Sequence, residues 1–230
     1  MKFLIGPGKS KNRYVEIWYG NIPVMTIVWV ANRETPFNDS SGVLRLTDLG
    51  ILVILNLNGT IIWSSNSPRS ASNPSAQLLD SGNLVVKEGD NMENTLWQSF
   101  EHPTDTILPG MKLGMNRITG IKWSMTSWNS PDDPSRDNFS CIFIPYGYPE
   151  LAVTQGSKIK YRPGLCDGLW FSGIPNLKQN PIIFKVLWCE YLNGFRSCSP
   201  AITKERPGYE VEESRGAAVE EEICTVGEES

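Results

Sequence analysis

The sequence predicts an all-β chain, and three observations carry that prediction. Short apolar runs recur about every ten residues, separated by turn formers such as Asn38-Asp-Ser-Ser-Gly, Asn58-Gly and Asp80-Ser-Gly-Asn. Over the first 100 residues no stretch keeps the apolar period of an amphipathic helix. Trp29, Trp63 and Trp97 stand 34 residues apart, and each closes an apolar strand: Thr-Ile-Val-Trp, Thr-Ile-Ile-Trp and Asn-Thr-Leu-Trp.

This repeat organises the first half of the chain. Leu46-Thr-Asp-Leu-Gly-Ile-Leu-Val aligns with Leu78-Leu-Asp-Ser-Gly-Asn-Leu-Val, so one supersecondary unit recurs. A unit that short cannot bury its own apolar face and must pack it on its copies. The three Trp are therefore expected to meet as core near a pseudo-threefold axis. Asn58-Gly59, between Val53-Ile-Leu and Ile61-Ile-Trp, predicts the tightest hairpin turn, with φ > 0 at both central residues.

From residue 101 the texture changes. Pro and Gly become dense, and polar-flanked strands such as Ile121-Lys-Trp-Ser-Met-Thr-Ser-Trp and Glu150-Leu-Ala-Val-Thr remain. They predict a second small β unit starting near residue 113. The link Pro103-Thr-Asp-Thr-Ile-Leu-Pro-Gly reads as a turn in which Asp105 braces the backbone. Residues 205–230 hold nine Glu against two Arg, and one aromatic, Tyr209. Such a segment cannot bury enough surface to offset its ordering entropy and is expected to be a disordered acidic tail.

Composition narrows the function. The chain has 230 residues, 40% of them apolar and 20% charged, with a net charge of −4. That excludes a collagen-like or wholly disordered chain and argues against nucleic acid as a partner. No run approaches the roughly 18 apolar residues of a membrane span. The N-terminal apolar run of three residues falls short of the roughly 7–15 of a secretory signal. No export address is thus expected in the chain as written. Yet Asn38-Asp-Ser, Asn58-Gly-Thr and Asn138-Phe-Ser are N-glycosylation candidates, a mark of extracellular sequences.

Catalysis and cofactors find little footing. The five Cys (141, 166, 189, 198, 224) form no Cys-x-x-Cys, and the single His, His102, completes no zinc set with them; neither metal nor cofactor is expected. There is no phosphate loop, kinase signature or Gly-x-Ser-x-Gly. Asp132-Asp133 lies between prolines, where adjacent carboxylates point apart. An enzyme is not expected.

Longer motifs carry a family resemblance. Asn12-Arg-Tyr-Val-Glu-Ile-Trp-Tyr, Val28-Trp-Val-Ala-Asn-Arg-Glu-Thr-Pro, Gln77-Leu-Leu-Asp-Ser-Gly-Asn-Leu-Val, Leu96-Trp-Gln-Ser-Phe-Glu-His-Pro-Thr-Asp-Thr-Ile-Leu-Pro-Gly-Met-Lys-Leu-Gly and Thr126-Ser-Trp-Asn-Ser-Pro-Asp-Asp-Pro-Ser resemble the plant S-domain. This is the ectodomain of G-type lectin S-receptor-like kinases and S-locus glycoproteins. The resemblance runs from about residue 7 to 183. It implies a bulb-type lectin β-prism over 1–112, expected to lack its opening strands, and a partial S-locus glycoprotein domain over 113–184. The likeness stops near Phe184, leaving 185–230 as a divergent, disordered tail. Cys166 stands where the family has Trp, and Cys141 where it commonly has an aromatic; both are expected to remain thiols.

Bulb lectins read mannose with a strand pattern Gln-x-Asp-x-Asn-x-Val-x-Tyr, whose alternate residues share one face. Here that register reads Leu79, Ser81, Asn83, Val85, Lys87, so only Asn83 and Val85 match a degenerate carbohydrate site. The preceding copy, Thr47, Leu49, Ile51, Val53, Leu55, is apolar. The resemblance implies a non-enzymatic, lectin-like recognition module, extracellular or at the plasma membrane. Its ligand would be a glycan or protein and its companion a receptor kinase, in pollen recognition or defence. The alternative is a truncated or mispredicted product without independent activity.

Overall fold

A computed structural model of the protein describes residues 2–7, 12–20, 22–37, 42–89, 94–116, 119–144, 150–164, 188–192 and 195–199. Nine strands form three antiparallel sheets of three. The first is β1 (Lys2–Pro7), β2 (Arg13–Trp18) and β3 (Ile27–Val30). The second is β4 (Val43–Leu46), β5 (Leu52–Leu55) and β6 (Ile61–Ser64), and the third β7 (Pro74–Leu78), β8 (Leu84–Glu88) and β9 (Thr95–Gln98). In each, the strand order follows the chain, and in the second and third sheets the middle strand is the most buried.

The three sheets are copies down to their irregularities. Ile17 lies opposite Trp29, Ile54 opposite Trp63 and Val86 opposite Trp97. Directly after each of these pairs the register slips by a β-bulge, which bends the strand and raises its local twist. Near the start of each middle strand one N–H is taken by a side chain lying just past the Trp. Val15 donates to Asn32 Oδ1 at 2.8 Å, Leu52 to Ser65 Oγ at 3.0 Å and Leu84 to Ser99 Oγ at 2.9 Å. The three indoles meet edge to face, with centroids 6.2, 6.0 and 5.8 Å apart. Such pairs add about 0.5–1.5 kcal/mol each beyond their buried area. Around them pack Ile17, Leu52, Leu84 and Val86, and the link contributes Phe100, Leu108 and Met111 to the same core.

The hairpin at Asn58-Gly59 is wider than the sequence suggests. Gly59 N–H donates to Asn56 O at 2.9 Å and only Gly59 has positive φ, at 75°. This is a turn followed by a left-handed glycine at a bulge, not a two-residue loop. The cause is local: Asn56 Oδ1 accepts from the N–H of both Asn58 and Thr60, at 3.1 and 2.8 Å, and holds the wider loop. The same backbone bond recurs at Gly50 to Thr47 and Gly82 to Leu79, both 2.9 Å, with φ 80° and 87°.

Beyond the link, β10 (Leu113–Asn116) pairs with β11 (Lys122–Trp123). A four-stranded antiparallel sheet follows, with β12 (Met125–Ser130), β13 (Asp133–Ile144), β14 (Glu150–Gln155) and β15 (Lys158–Tyr161) in chain order. Finally β16 (Trp188–Leu192) and β17 (Phe195–Ser199) form a hairpin that pairs with β10 through β17. This corrects the expectation of disorder from residue 185. Trp188, Tyr191 and Phe195 favour strands, and β10 offers β17 an edge. The acidic stretch 205–230 lies outside the described residues.

Candidate functional site

The β8 face, where a mannose pattern would be read, is closed by its own side chains. Asn83 Oδ1 accepts from Ser99 Oγ and from Phe100 N–H, both at 3.2 Å, and Asn83 Nδ2 donates to Gln98 Oε1 at 2.8 Å. Gln98 in turn donates to Glu101 at 3.2 Å, and Glu101 takes the Lys112 ammonium. Val85 is 1% exposed, and Lys87, 7% exposed, directs its ammonium to Gln77 Oε1 at 3.3 Å. Asn83 thus ties the start of β8 to the end of β9. Ser81 Oγ accepts the Asn83 N–H at 3.4 Å within the preceding turn.

The bulge-matched position of Val85 is Val53 in the second sheet and Glu16 in the first. Glu16 is a feature that composition and spacing do not expose. It is 3% exposed, and its burial alone pushes the carboxyl up to about 7. Of the sequons, Asn58 is exposed at the β5–β6 turn and Asn138 is exposed on β13; Asn38 lies outside the described residues. Cys141 is buried beside Leu113 and Met125 and is in no disulfide, while Cys166 lies outside the described residues.

A second locus lies where the Trp triad meets β12 and β13. Arg33, in the loop after β3, is 5% exposed. Its Nε donates to Pro134 O at 2.6 Å and its Nη2 to Thr126 O and Ser127 O, both at 3.1 Å. The β12–β13 register slips between Thr126 and Trp128, so carbonyls at this bulge turn away from the ladder toward the guanidinium. Burial lowers the Arg33 pKa, and Asp105 nearby opposes that shift.

Asp105 sits in the link between two buried threonines, Thr104 and Thr106. Burial raises its pKa, while its own backbone N–H, the Thr104 hydroxyl at 3.1 Å and the Arg33 charge hold it down. The Trp128 indole N–H also lies near enough to favour the charged carboxylate, though it completes no hydrogen bond. Thr104 O accepts the Thr126 N–H at 2.8 Å, a second tie across this junction. Trp29 Nε1 donates to His102 O at 2.8 Å, and the His102 ring stacks on Trp97 with centroids 5.4 Å apart and planes 16° from parallel.

Between these groups opens a cleft of about 420 Å³. Its lining includes the buried Trp29 and Trp97, the half-buried Trp63 and the exposed His102, Arg136, Lys122, Glu34 and Asn66. A lining that joins aromatic with polar and charged side chains suits a small polar ligand having one apolar face. No cluster of three metal-binding side chains occurs among the described residues, and no helix among them is long and apolar enough to cross a membrane.

Residues 26–129 match the D-mannose binding lectin family. The chain is 41% identical over 198 residues to the G-type lectin S-receptor-like serine/threonine-protein kinase B120 of Arabidopsis thaliana, covering 84% of this chain and 22% of that relative. It is 40% identical over 183 residues to the Arabidopsis G-type lectin S-receptor-like serine/threonine-protein kinase SD1-13, covering 78% of this chain and 22% of that one. To the Arabidopsis receptor-like serine/threonine-protein kinase SD1-8 it is 42% identical over 176 residues, covering 75% and 21%. The chain spans about a fifth of the length of these curated relatives. It carries a D-mannose-binding-type lectin domain and is homologous, over most of its own length, to the G-type lectin S-receptor-like kinases.

Proposed function

We propose that the chain is a non-enzymatic, lectin-like recognition module that works outside the cell or at the plasma membrane. It captures a glycan-bearing ligand for surface signalling of the pollen-recognition or defence kind. The observation that carries this reading is the Trp-centred lectin fold whose threefold end opens into a cleft lined by aromatic and polar side chains. Three further elements belong to the proposal. The lectin module spans 1–112 and the S-locus-type module begins at 113, with Arg33 joining them. Asn83 and Val85 are what remains of a mannose site, now structural because the amide is bonded to Gln98, Ser99 and Phe100 and the apolar group is buried. Asn58 and Asn138, both exposed, carry N-glycans when the chain passes through a secretory route.

The test is an array of plant cell-wall oligosaccharides probed with the chain made behind an added secretion signal. Saturable binding to a subset of glycans, with mannosides among the non-binders, is the expected result. A folded chain that binds nothing on the array refutes the glycan reading. Binding of methyl mannoside with amide shifts confined to β8 refutes the loss of the strand site.

A further inference from the structure

We propose that the cleft at the end of the Trp triad takes a carboxylate-bearing saccharide, a short uronic-acid oligomer. The inference deepens the lectin-like reading above and rests on it. A cleft of about 420 Å³ falls in the range of small-molecule sites. What distinguishes it is charge. Arg33, Arg136 and Lys122 line it, against Glu34 and Glu101. Glu101 is already held by Lys112, which leaves the lining with an excess of cations.

None of the three lining cations makes a close ion pair: Arg33 is faced by Asp105 and Glu34, Arg136 shares the same Glu34, and Lys122 has neither. The Arg33 Nε and Nη2 groups donate to backbone carbonyls, and its Nη1 group makes no hydrogen bond among the described residues and is not among their buried unpaired atoms. Arg136 is 64% exposed and touches Glu34 at 3.6 Å, a loose contact; Glu34 also lies 3.9 Å from Arg33. Lys122 is exposed and makes no ion pair among the described residues. A neutral hexose would leave these groups as they are. A carboxylate can pair with a guanidinium through two parallel hydrogen bonds, which fixes its orientation as well as its charge.

The remaining features suit a sugar ring. The His102 imidazole covers Trp97 with one face and leaves the ring otherwise exposed, which makes a flat platform for the apolar face of a pyranose. Burial pushes the His102 pKa down, and Glu101 opposes that shift. Asn66, also on the lining, is the one described non-glycine residue with positive φ, at 46°. Its backbone N–H is held by Ser64 Oγ at 3.2 Å, while its side-chain amide has no hydrogen bond among the described residues. A primary amide both donates to and accepts from sugar hydroxyls.

The test is isothermal titration of the folded chain, its fold checked by near-ultraviolet circular dichroism, with trigalacturonate and with neutral galactotriose. The acidic trimer is expected to bind saturably, about tenfold or more tighter than the neutral one, and to weaken as salt is raised. The double variant Arg136→Gln, Lys122→Gln, whose positions are exposed and tolerant, is expected to lose about tenfold or more. Equal affinity for the two trimers, or unchanged binding by the folded double variant, overturns the inference. A folded chain that captures other array glycans but ignores trigalacturonate overturns this inference alone; one that captures none overturns the lectin-like reading as well.

Discussion

Replacing Arg33 with methionine keeps most of the aliphatic stem and removes the fork that joins the triad loop to β12 and β13. Three charged-donor hydrogen bonds go with it, to Pro134 O, Thr126 O and Ser127 O. Bonds of this kind are worth about 1.5–3 kcal/mol each, and an orphaned buried carbonyl costs about 1–3 kcal/mol. Against that loss stands the desolvation of the guanidinium, whose pKa burial already depresses and which Met does not bear. That penalty is several kcal/mol for a buried ion. The two nearly offset, and a net loss of about 2–4 kcal/mol remains. Arg33→Lys keeps the charge but not the planar fork, and is expected to cost about as much, because an ammonium cannot serve three divergent carbonyls while buried. Urea unfolding followed by tryptophan fluorescence reads both. The expected result is a lowered midpoint for each variant, with Arg136→Met, at the exposed Glu34 pair, within about 1 kcal/mol of the parent. An Arg33→Met protein within about 0.5 kcal/mol of the parent refutes the argument that the fork joins these elements. A fully stable Arg33→Lys refutes the role of its geometry.

Two further outcomes follow from buried groups and turns. Glu16 titrates near 7 in the fold against 4.5 for an unperturbed carboxyl, so the folded state prefers it protonated. Its contribution to stability is therefore full below about pH 4.5 and is lost as pH rises to about 7, by about 3 kcal/mol in all. Glu16→Gln should flatten that part of the pH profile of the urea midpoint and stabilise the protein at pH 8; an unchanged slope rejects the assignment. Gly50 and Gly59 both hold positive φ, but an added Cβ at Gly50 meets Leu96 Cδ1 at 2.9 Å, while at Gly59 nothing lies within 4 Å. Gly59→Ala should cost about 1 kcal/mol from backbone strain alone, and Gly50→Ala measurably more. Equal thermal shifts would mean that Leu96 yields without cost.

What could be read beforehand was what the chain repeats locally. The Trp spacing, the turn glycines and the missing helical period are written in neighbouring residues, and they sufficed for an all-β fold with three alike units. The width of the Asn58-Gly59 turn was not legible, because Asn56, outside the dipeptide, decides it. Nor was hairpin β16–β17, which depends on an edge offered by β10, more than 70 residues earlier in the chain. The site was harder still. Asn83 was visible as a motif match, but its inward amide depends on Ser99 and Phe100. Arg33 sits in a motif where it reads as one charge among several; its role appears only when residues 93 to 101 positions away reach it. The cleft draws on six separate stretches of chain, and no local pattern encodes such a convergence.

The Trp triad has a kinetic consequence. Trp29 and Trp97 touch although 68 residues of chain separate them, and no sheet can dry its indole until the other two arrive. Contacts of such long sequence separation make loop closure the slow step, so the three sheets should lock together in one late event rather than in succession. Because the sheets share one Trp pairing and one bulge, a sheet from a neighbouring chain offers the same indole to the triad as the chain's own. At high concentration during refolding, the expected error is then an exchanged sheet and a swapped dimer, with that sheet's native contacts made to the wrong molecule.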